Sequence, residues 1–323
     1  MRDSDEQLTK YLTDVHAIEQ QALAQMRTAP EIAGDPELRA MFERHRGETE
    51  EHERLVRERL EAHGATPSTL KDVVARLGGA GFIWFARSQP DTPGKLAAHA
   101  FSYEHMELAA YDLLERVAHA AGDAETAAVA RRIRDQEDAM GARIAGAWDR
   151  AVAASLREVR PDELDDKLVT YLTDAHAIEA QAIQLLERGP KLAGHPELAR
   201  LYAEHLEETR GQQQLVEERL RAHDASPSRL KDAALRLGAL NWGVFFASQP
   251  DTPAKLAAFA YAFEHLEIGA YEQLKRVAAR ASDVATAEAA ERILVQERAA
   301  AEKLHAAFPA ALDAALDALH VAH

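Results

Sequence analysis

Cysteine is absent from this sequence of 323 residues. Without thiolates the chain cannot form disulfides, a cysteine-bound zinc site or an iron–sulfur cluster. Its longest apolar runs, GFIWFA and VFFA, are too short to span a bilayer. The first letters, MRDSDEQL, carry charges where a signal peptide would need an apolar core. These absences predict a cytoplasmic protein that is not attached to a membrane.

Acidic residues outnumber basic ones. The chain has 38 Lys and Arg against 54 Asp and Glu, which gives a formal net charge of −16. Proteins that bind the phosphate backbone need clustered positive charge. We therefore expect no nucleic-acid partner.

The sequence repeats itself along its whole length. YLTDVHAIEQQAL begins at Tyr11 and YLTDAHAIEAQAI at Tyr171, an offset of 160 residues, and SQPDTP occurs in both copies at the same offset. A repeat of this length indicates a duplicated domain, since solenoid repeats are much shorter. The boundary falls near Arg160, which predicts two domains, 1–160 and 161–323.

Each copy has the composition of helices. Alanine, leucine, glutamate and arginine dominate, and Asp-Pro and Thr-Pro pairs offer a capping side chain before proline at the first helical position. In the first copy we predict four long helices, at 4–28, 36–62, 93–121 and 124–157. The connection between the second and third is long, and short helices are expected in it at 68–77 and 81–87. Two helical hairpins joined by such a crossover predict an all-α chain of two four-helix bundles.

One glutamate interrupts the apolar stripe of every long helix. The first helix, for example, buries Leu12, Val15, Glu19 and Ala22 at alternating steps of three and four. The eight glutamates of the two copies are Glu19, Glu48, Glu107, Glu137, Glu179, Glu208, Glu267 and Glu297. In the second helix, Phe42 and Val56 leave open a rotated face on which Glu48 would be solvated.

Four carboxylates in one core need compensation. An unpaired buried charge costs several kcal/mol, whereas a whole domain is stable by only about 5–15 kcal/mol. Protons, basic side chains or bound cations could compensate, and no Lys or Arg lies on the stripes themselves. Two divalent cations would balance four carboxylates, and oxygen-rich sites suit manganese and iron.

The chain resembles the ferritin-like superfamily and, within it, the YciF-type family of stress-associated proteins. The resemblance is carried by D-x-H-A-I-E-x-Q, H-x-x-E-T, the segments PSTLKD and PSRLKD, and E-H-x-E-x-x-A-Y, in both copies. It implies a dinuclear iron or manganese centre and activities such as ferroxidase, oxidase or manganese catalase. YciF-type proteins have no settled activity, so the resemblance leaves open whether this chain is an enzyme.

The sequence departs from the usual di-iron pattern, which places Glu-x-x-His on two helices. Met140 stands three residues after Glu137, and Glu51 stands three after Glu48. Further candidate ligands, or hydrogen-bond partners of ligands, lie three residues before the helix glutamates: His45, His205, His16, His176, Glu104 and Glu264. His52 is replaced by Gln212 in the second copy, so it is not expected to be essential.

Two functions therefore compete. The first is a ferritin-like protein with a dinuclear iron or manganese centre that oxidises ferrous iron, consumes peroxide or handles metal in oxidative stress. The alternative is a non-catalytic stress or interaction protein with a metal-free bundle. The apolar segments between the second and third helices also leave self-association open.

Overall fold

The computed structural model describes residues 2–66, 92–227 and 252–321. Within these ranges the regular structure is entirely helical, which confirms the all-α prediction of two tandem bundles. The chain divides into two compact units, Met1–Arg157 and Glu158–His323, which are described separately below. None of the helices in these ranges is long and apolar enough to cross a membrane. The short helices expected at 68–77 and 81–87, and both apolar stretches, lie outside the described residues.

The first unit contains six helices among its described residues. Their bounds are α1 Arg2–Met26, α2 Ala29–Ile32, α3 Pro36–Ala62, α4 Thr92–Ala121, α5 Ala124–Ala145 and α6 Trp148–Ser155. α1 packs against α3 and α4, α4 packs against α5, and α3 packs against α5. The four long helices therefore enclose one core, as in a ferritin-like bundle.

Capping residues fix where the long helices begin. The side chain of Asp35 accepts hydrogen bonds from the backbone N–H groups of Glu37 and Leu38, with Pro36 at the first helical position. Asp123 does the same for Glu125 and Thr126 at the start of α5. These two caps place α3 and α5 with a defined register, and α3 has the predicted bounds.

The predicted fourth helix, 124–157, is wrong in one respect, because it is two helices. α5 ends at Ala145, Gly146 caps it, and α6 starts at Trp148. The Trp148 side chain is buried, and its ring meets that of Phe101 on α4 edge to face, with centroids 5.3 Å apart. Burial of this large ring favours the break between α5 and α6, and Gly146 lowers the free-energy cost of ending a helix there.

The second unit repeats this arrangement. A short 3₁₀ turn, Pro161–Glu163, precedes the helices α7 Leu164–Leu192, α8 Pro196–Ala222, α9 Thr252–Arg280, α10 Val284–Ala306 and α11 Phe308–Val321. α10 also ends early, and Phe308 is buried against Tyr261 where Trp148 meets Phe101 in the first unit. The break in the last long helix is thus a property of both copies.

Candidate metal centre

Three of the four stripe glutamates of the first unit are buried in the bundle centre. Glu19 on α1, Glu107 on α4 and Glu137 on α5 are at most 1% exposed. Glu104, one helical turn before Glu107, is equally buried. They are buried because they replace apolar residues on faces that otherwise hold leucine, isoleucine, tyrosine and alanine.

The fourth stripe glutamate, Glu48, lies at the edge of the core and contacts other side chains than the buried three do. Its side chain is 24% exposed and accepts two hydrogen bonds from Arg143, at 3.1 and 2.7 Å. It also lies 3.1 Å from Nδ1 of His45. Hydrogen bonds from His45 and Arg143 lower the pKa of Glu48 to about 2. Glu48 is therefore an ionised carboxylate that can accept a hydrogen bond from Nδ1 of His45, which is called the outer nitrogen of that ring below.

The inner nitrogen of His45 belongs to the first cluster, formed by His45, Glu104, Glu107 and Glu137. Nε2 of His45 lies 3.1 Å from Oε2 of Glu104 and 3.6 Å from Oε2 of Glu137. Ligand atoms bound to one ion at about 2.1 Å lie about 3 Å apart at right angles. The spacing of these atoms is therefore suitable for a single metal ion.

A second cluster shares Glu137 with the first and adds Glu19 and His52. Nδ1 of His52 lies 2.7 Å from Oε1 of Glu137 and 3.9 Å from Oε1 of Glu19. The outer nitrogen of His52, Nε2, lies 3.1 Å from Oε1 of Gln136. The two oxygens of Glu137 thus face different clusters, Oε2 towards His45 and Oε1 towards His52.

Most inward-facing atoms of the clusters lack a well-oriented hydrogen bond among the described residues. Both oxygens of Glu107 and Oε1 of Glu104 are buried without any such partner, and the inner nitrogens of His45 and His52 only approach Glu104 and Glu137. Native proteins rarely leave so many buried polar atoms without partners. Divalent cations at both clusters would satisfy them, so the residues present fit a pair of metal ions.

Without an ion these carboxyls resist ionisation. Burial, followed by repulsion from Glu137, Glu19 and Glu104, raises the pKa of Glu107 well above its ordinary value. Burial likewise raises the pKa of Glu19 to about 8 and that of Glu137 to about 7. Burial opposes the charge on His45, but Glu104, Glu48 and Glu137 together outweigh it and raise the pKa of His45 well above its ordinary value. The metal-free cluster therefore carries protons that a cation would displace.

The second unit reproduces one cluster, formed by His205, Glu264, Glu267 and Glu297. Nε2 of His205 lies 2.9 Å from Oε2 of Glu264 and 3.7 Å from Oε2 of Glu297. Glu208 takes the place of Glu48, 37% exposed and 3.2 Å from Nδ1 of His205. The ligand atoms are therefore arranged as in the first unit.

Access to the two equivalent histidines differs. A cleft lies beside His205 and is lined in part by Glu208, Ala300 and Lys303. Lys303 approaches Glu208 only to 3.9 Å. In the first unit the equivalent positions hold Met140, which is fully buried, and Arg143, which is 29% exposed. His45 is 1% exposed, whereas His205 is 7% exposed.

Comparison with known families gives two matches, one to each unit. Residues 3–157 and again residues 163–317 match the family described as a domain of unknown function, DUF892. The chain belongs to this family. DUF892 is the YciF-like ferritin-like family, and the chain is a tandem duplication of its domain. No solved structure matches the chain.

The other histidines proposed for this DUF892 chain lie away from the clusters. Nε2 of His16 is 3.1 Å from Glu53, and Nε2 of His176 is 3.3 Å from Glu217. The structure likewise brings Glu48 and Glu208 to the histidines rather than into the clusters. Glu51, which stands where the usual di-iron pattern has histidine, binds Arg54.

Three residues at the clusters do not stand out in the sequence. The glutamine at the equivalent position of the second copy argues against a role for His52, yet His52 lies seven residues from His45 and so on the same helical face. Tyr111 donates a hydrogen bond of 2.5 Å to Oε1 of Glu19, and Tyr271 donates the equivalent bond to Glu179. Both tyrosines lie four residues after the helix glutamate of the third long helix, which was the available signal.

Proposed function

We propose that this DUF892 protein binds transition-metal ions in the centre of each bundle, and that the first bundle holds a dinuclear iron or manganese centre. The observation that carries the proposal is the position of Glu137, whose two oxygens face two separate groups of ligand atoms. A carboxylate placed in this way can bridge two ions.

The ligand set favours transition metals over calcium and magnesium. Each cluster combines carboxylate oxygens with one imidazole nitrogen: His45 with Glu104, and His52 with Glu19. Mixed nitrogen and oxygen ligation suits iron, manganese and related ions, whereas calcium and magnesium prefer oxygen alone. Glu107, with both oxygens unpartnered, is placed to contribute to the first cluster and to lie beside the second.

Partners outside the clusters hold the ligands ready. Glu48 accepts from one nitrogen of His45, which leaves Nε2 as the nitrogen with a lone pair for a metal. Gln136 occupies the same relation to His52, and Tyr111 fixes one oxygen of Glu19. These contacts orient three ligands before any ion binds, which reduces the entropy lost on binding.

Bound iron or manganese would supply one-electron redox chemistry, which the protein side chains lack. The protein contributes an enclosed core that excludes bulk water and carboxyls that release protons when ions bind. The reactions that fit this setting are oxidation of ferrous iron and consumption of hydrogen peroxide, as parts of metal handling under oxidative stress. Storage without turnover would need the same ligands.

Metal analysis provides the test. The chain is purified without chelator or nickel affinity resin, then measured for metal content by mass spectrometry, alongside Glu137→Gln. The control is Asp138→Asn, which removes the same charge from the exposed neighbouring position on α5. We expect iron or manganese in the wild type and the control, and loss of both ions of the first unit from Glu137→Gln.

The outcomes separate the two functions. Metal-free protein that takes up neither Fe²⁺ nor Mn²⁺ would refute the metal centre and favour a non-catalytic bundle. Equal metal content in Glu137→Gln and wild type would refute the bridging role of Glu137. Loaded protein is then mixed with oxygen or hydrogen peroxide, and loss of the oxidant is followed with time to separate turnover from storage.

A further inference from the structure

The two units differ at one position of the clusters. His52 of α3 corresponds to Gln212 of α8, while the four buried glutamates are the same in both. Within the described part of the second unit, no group of three metal-binding acidic or histidine side chains forms around Glu179. The second ion position therefore loses its imidazole and keeps its carboxylates.

The geometry explains what Gln212 offers instead. Its Nε2 donates to Oε1 of Gln296 at 3.2 Å, as the outer nitrogen of His52 meets Gln136. This leaves Oε1 of Gln212, which is buried and has no hydrogen-bond partner, as the only atom of this side chain that could bind an ion. An amide oxygen is neutral and binds iron or manganese more weakly than an imidazole nitrogen does.

We infer that the chain holds unequal metal centres, a pair of ions in the first unit and one tightly bound ion in the second, at His205, Glu264, Glu267 and Glu297. This inference rests on the proposed metal-binding function. The residue that sets the difference is Gln212, because the two units share the other ligands of both positions.

Manganese is a suitable probe because it reports both number and pairing. Metal-free chain is loaded with Mn²⁺ and dialysed against metal-free buffer, so that only tightly bound ions remain. Retained manganese is measured by mass spectrometry, and electron paramagnetic resonance separates magnetically coupled pairs from isolated ions. We expect about three ions per wild-type chain, with both coupled and isolated signals present.

Two reciprocal variants test the role of the residue. Gln212→His should retain about four ions and lose the isolated signal, whereas His52→Gln should retain about two and lose the coupled one. The control is Gln214→His, which adds the same side chain at an exposed position of α8 and should leave the count at three. Circular dichroism confirms that each variant is folded.

The outcomes distinguish this inference from the proposed function. Four retained ions in wild type, or an unchanged count in both folded variants, would overturn the inequality while leaving metal binding intact. Two retained ions in wild type would also overturn it. No retained manganese in any variant, together with no retained iron when the same chains are loaded with Fe²⁺ instead, would overturn the proposed function itself.

Discussion

Neutralising one buried carboxyl in each unit should stabilise the metal-free protein. Glu107 and Glu267 are at most 1% exposed, and neither oxygen of either side chain has a hydrogen-bond partner among the described residues. The double change Glu107→Gln and Glu267→Gln keeps the shape of both side chains and removes the ionisable group. Such a substitution separates the cost of the charge from the cost of a cavity.

The size of the effect follows from the pKa. In the unfolded chain a Glu carboxyl with an ordinary pKa of 4.5 is ionised at pH 7, whereas burial raises the pKa of Glu107 well above that value in the metal-free fold and so favours its proton there. At about 1.4 kcal/mol per pKa unit, holding that proton at pH 7 costs about 3 kcal/mol. The glutamine amide is itself unpartnered, so we expect a gain of about 1–3 kcal/mol per unit, or a rise in Tm of about 3–9 °C.

The pH dependence provides an internal check. A carboxyl whose pKa is raised by folding stabilises the protein below its unfolded pKa, and this contribution is lost as the pH rises through the folded value. The advantage of the double variant over wild type in chelator should therefore be small near pH 4.5 and largest above pH 7. Thermal unfolding by circular dichroism at several pH values measures it.

Bound metal should make the wild type more stable than the double variant. Ions that bind the folded wild type stabilise it by about 4 kcal/mol at a thousandfold excess over Kd, and the double variant lacks two of the ligands. The control pair Glu43→Gln and Glu218→Gln removes exposed carboxylates and should change neither result. If the double variant is less stable than wild type in chelator at pH 8, then burying these two carboxyls does not destabilise the metal-free protein.

Two further predictions concern the end of the bundle and the route to the metal. Asp123→Ala should destabilise the first unit by about 1–3 kcal/mol in urea unfolding at pH 7, because Asp123 caps α5 and binds Arg59 and His63. Burial opposes ionisation of Asp123, but hydrogen bonds from Thr126 and His63 outweigh it and hold the pKa of Asp123 below its usual range. The lowered pKa of Asp123 stabilises the wild type at pH values above the ordinary value of 3.8. The difference in unfolding free energy between Asp123→Ala and wild type should therefore shrink as the pH falls below 3.8, and a difference that stays constant would contradict this account. Ala300→Met should place over His205 the side chain that Met140 supplies in the first unit, and should slow removal of Mn²⁺ from the second unit by chelator. Unchanged release kinetics would show that the cleft beside His205 is not the route.

Much of the fold could be predicted from the sequence because helices carry local signals. The bounds of α3 follow from Asp35 before Pro36, and the duplication is visible by inspection. The break between α5 and α6 could not be predicted in this way. Gly146 alone is tolerated inside helices, and the burial of Trp148 against Phe101 depends on packing between distant segments.

The site was predictable where the stripe was clear and ambiguous where it was not. Glu19, Glu107 and Glu137 are buried as the periodicity of α1, α4 and α5 indicates. On α3 the buried face runs through Phe42, His45, Thr49, His52 and Val56. This is the rotated alternative, and it turns Glu48 towards Arg143. Periodicity alone could not decide between two faces about one residue apart.

The two units bury the same carboxyls but differ in one of the side chains that could bind a metal ion. Both units bury four carboxyls in the bundle centre, so both incur the same kind of desolvation cost. If the second unit holds a single divalent ion, two of its four negative charges remain to be offset by protons. Burial raises the pKa of Glu179 to about 8, and Glu179 accepts a hydrogen bond from Tyr271, so this carboxyl is placed to keep one of these protons. On this proposal, the exchange of His52 for Gln212 changes the metal content of a bundle without changing the apolar packing that folds it.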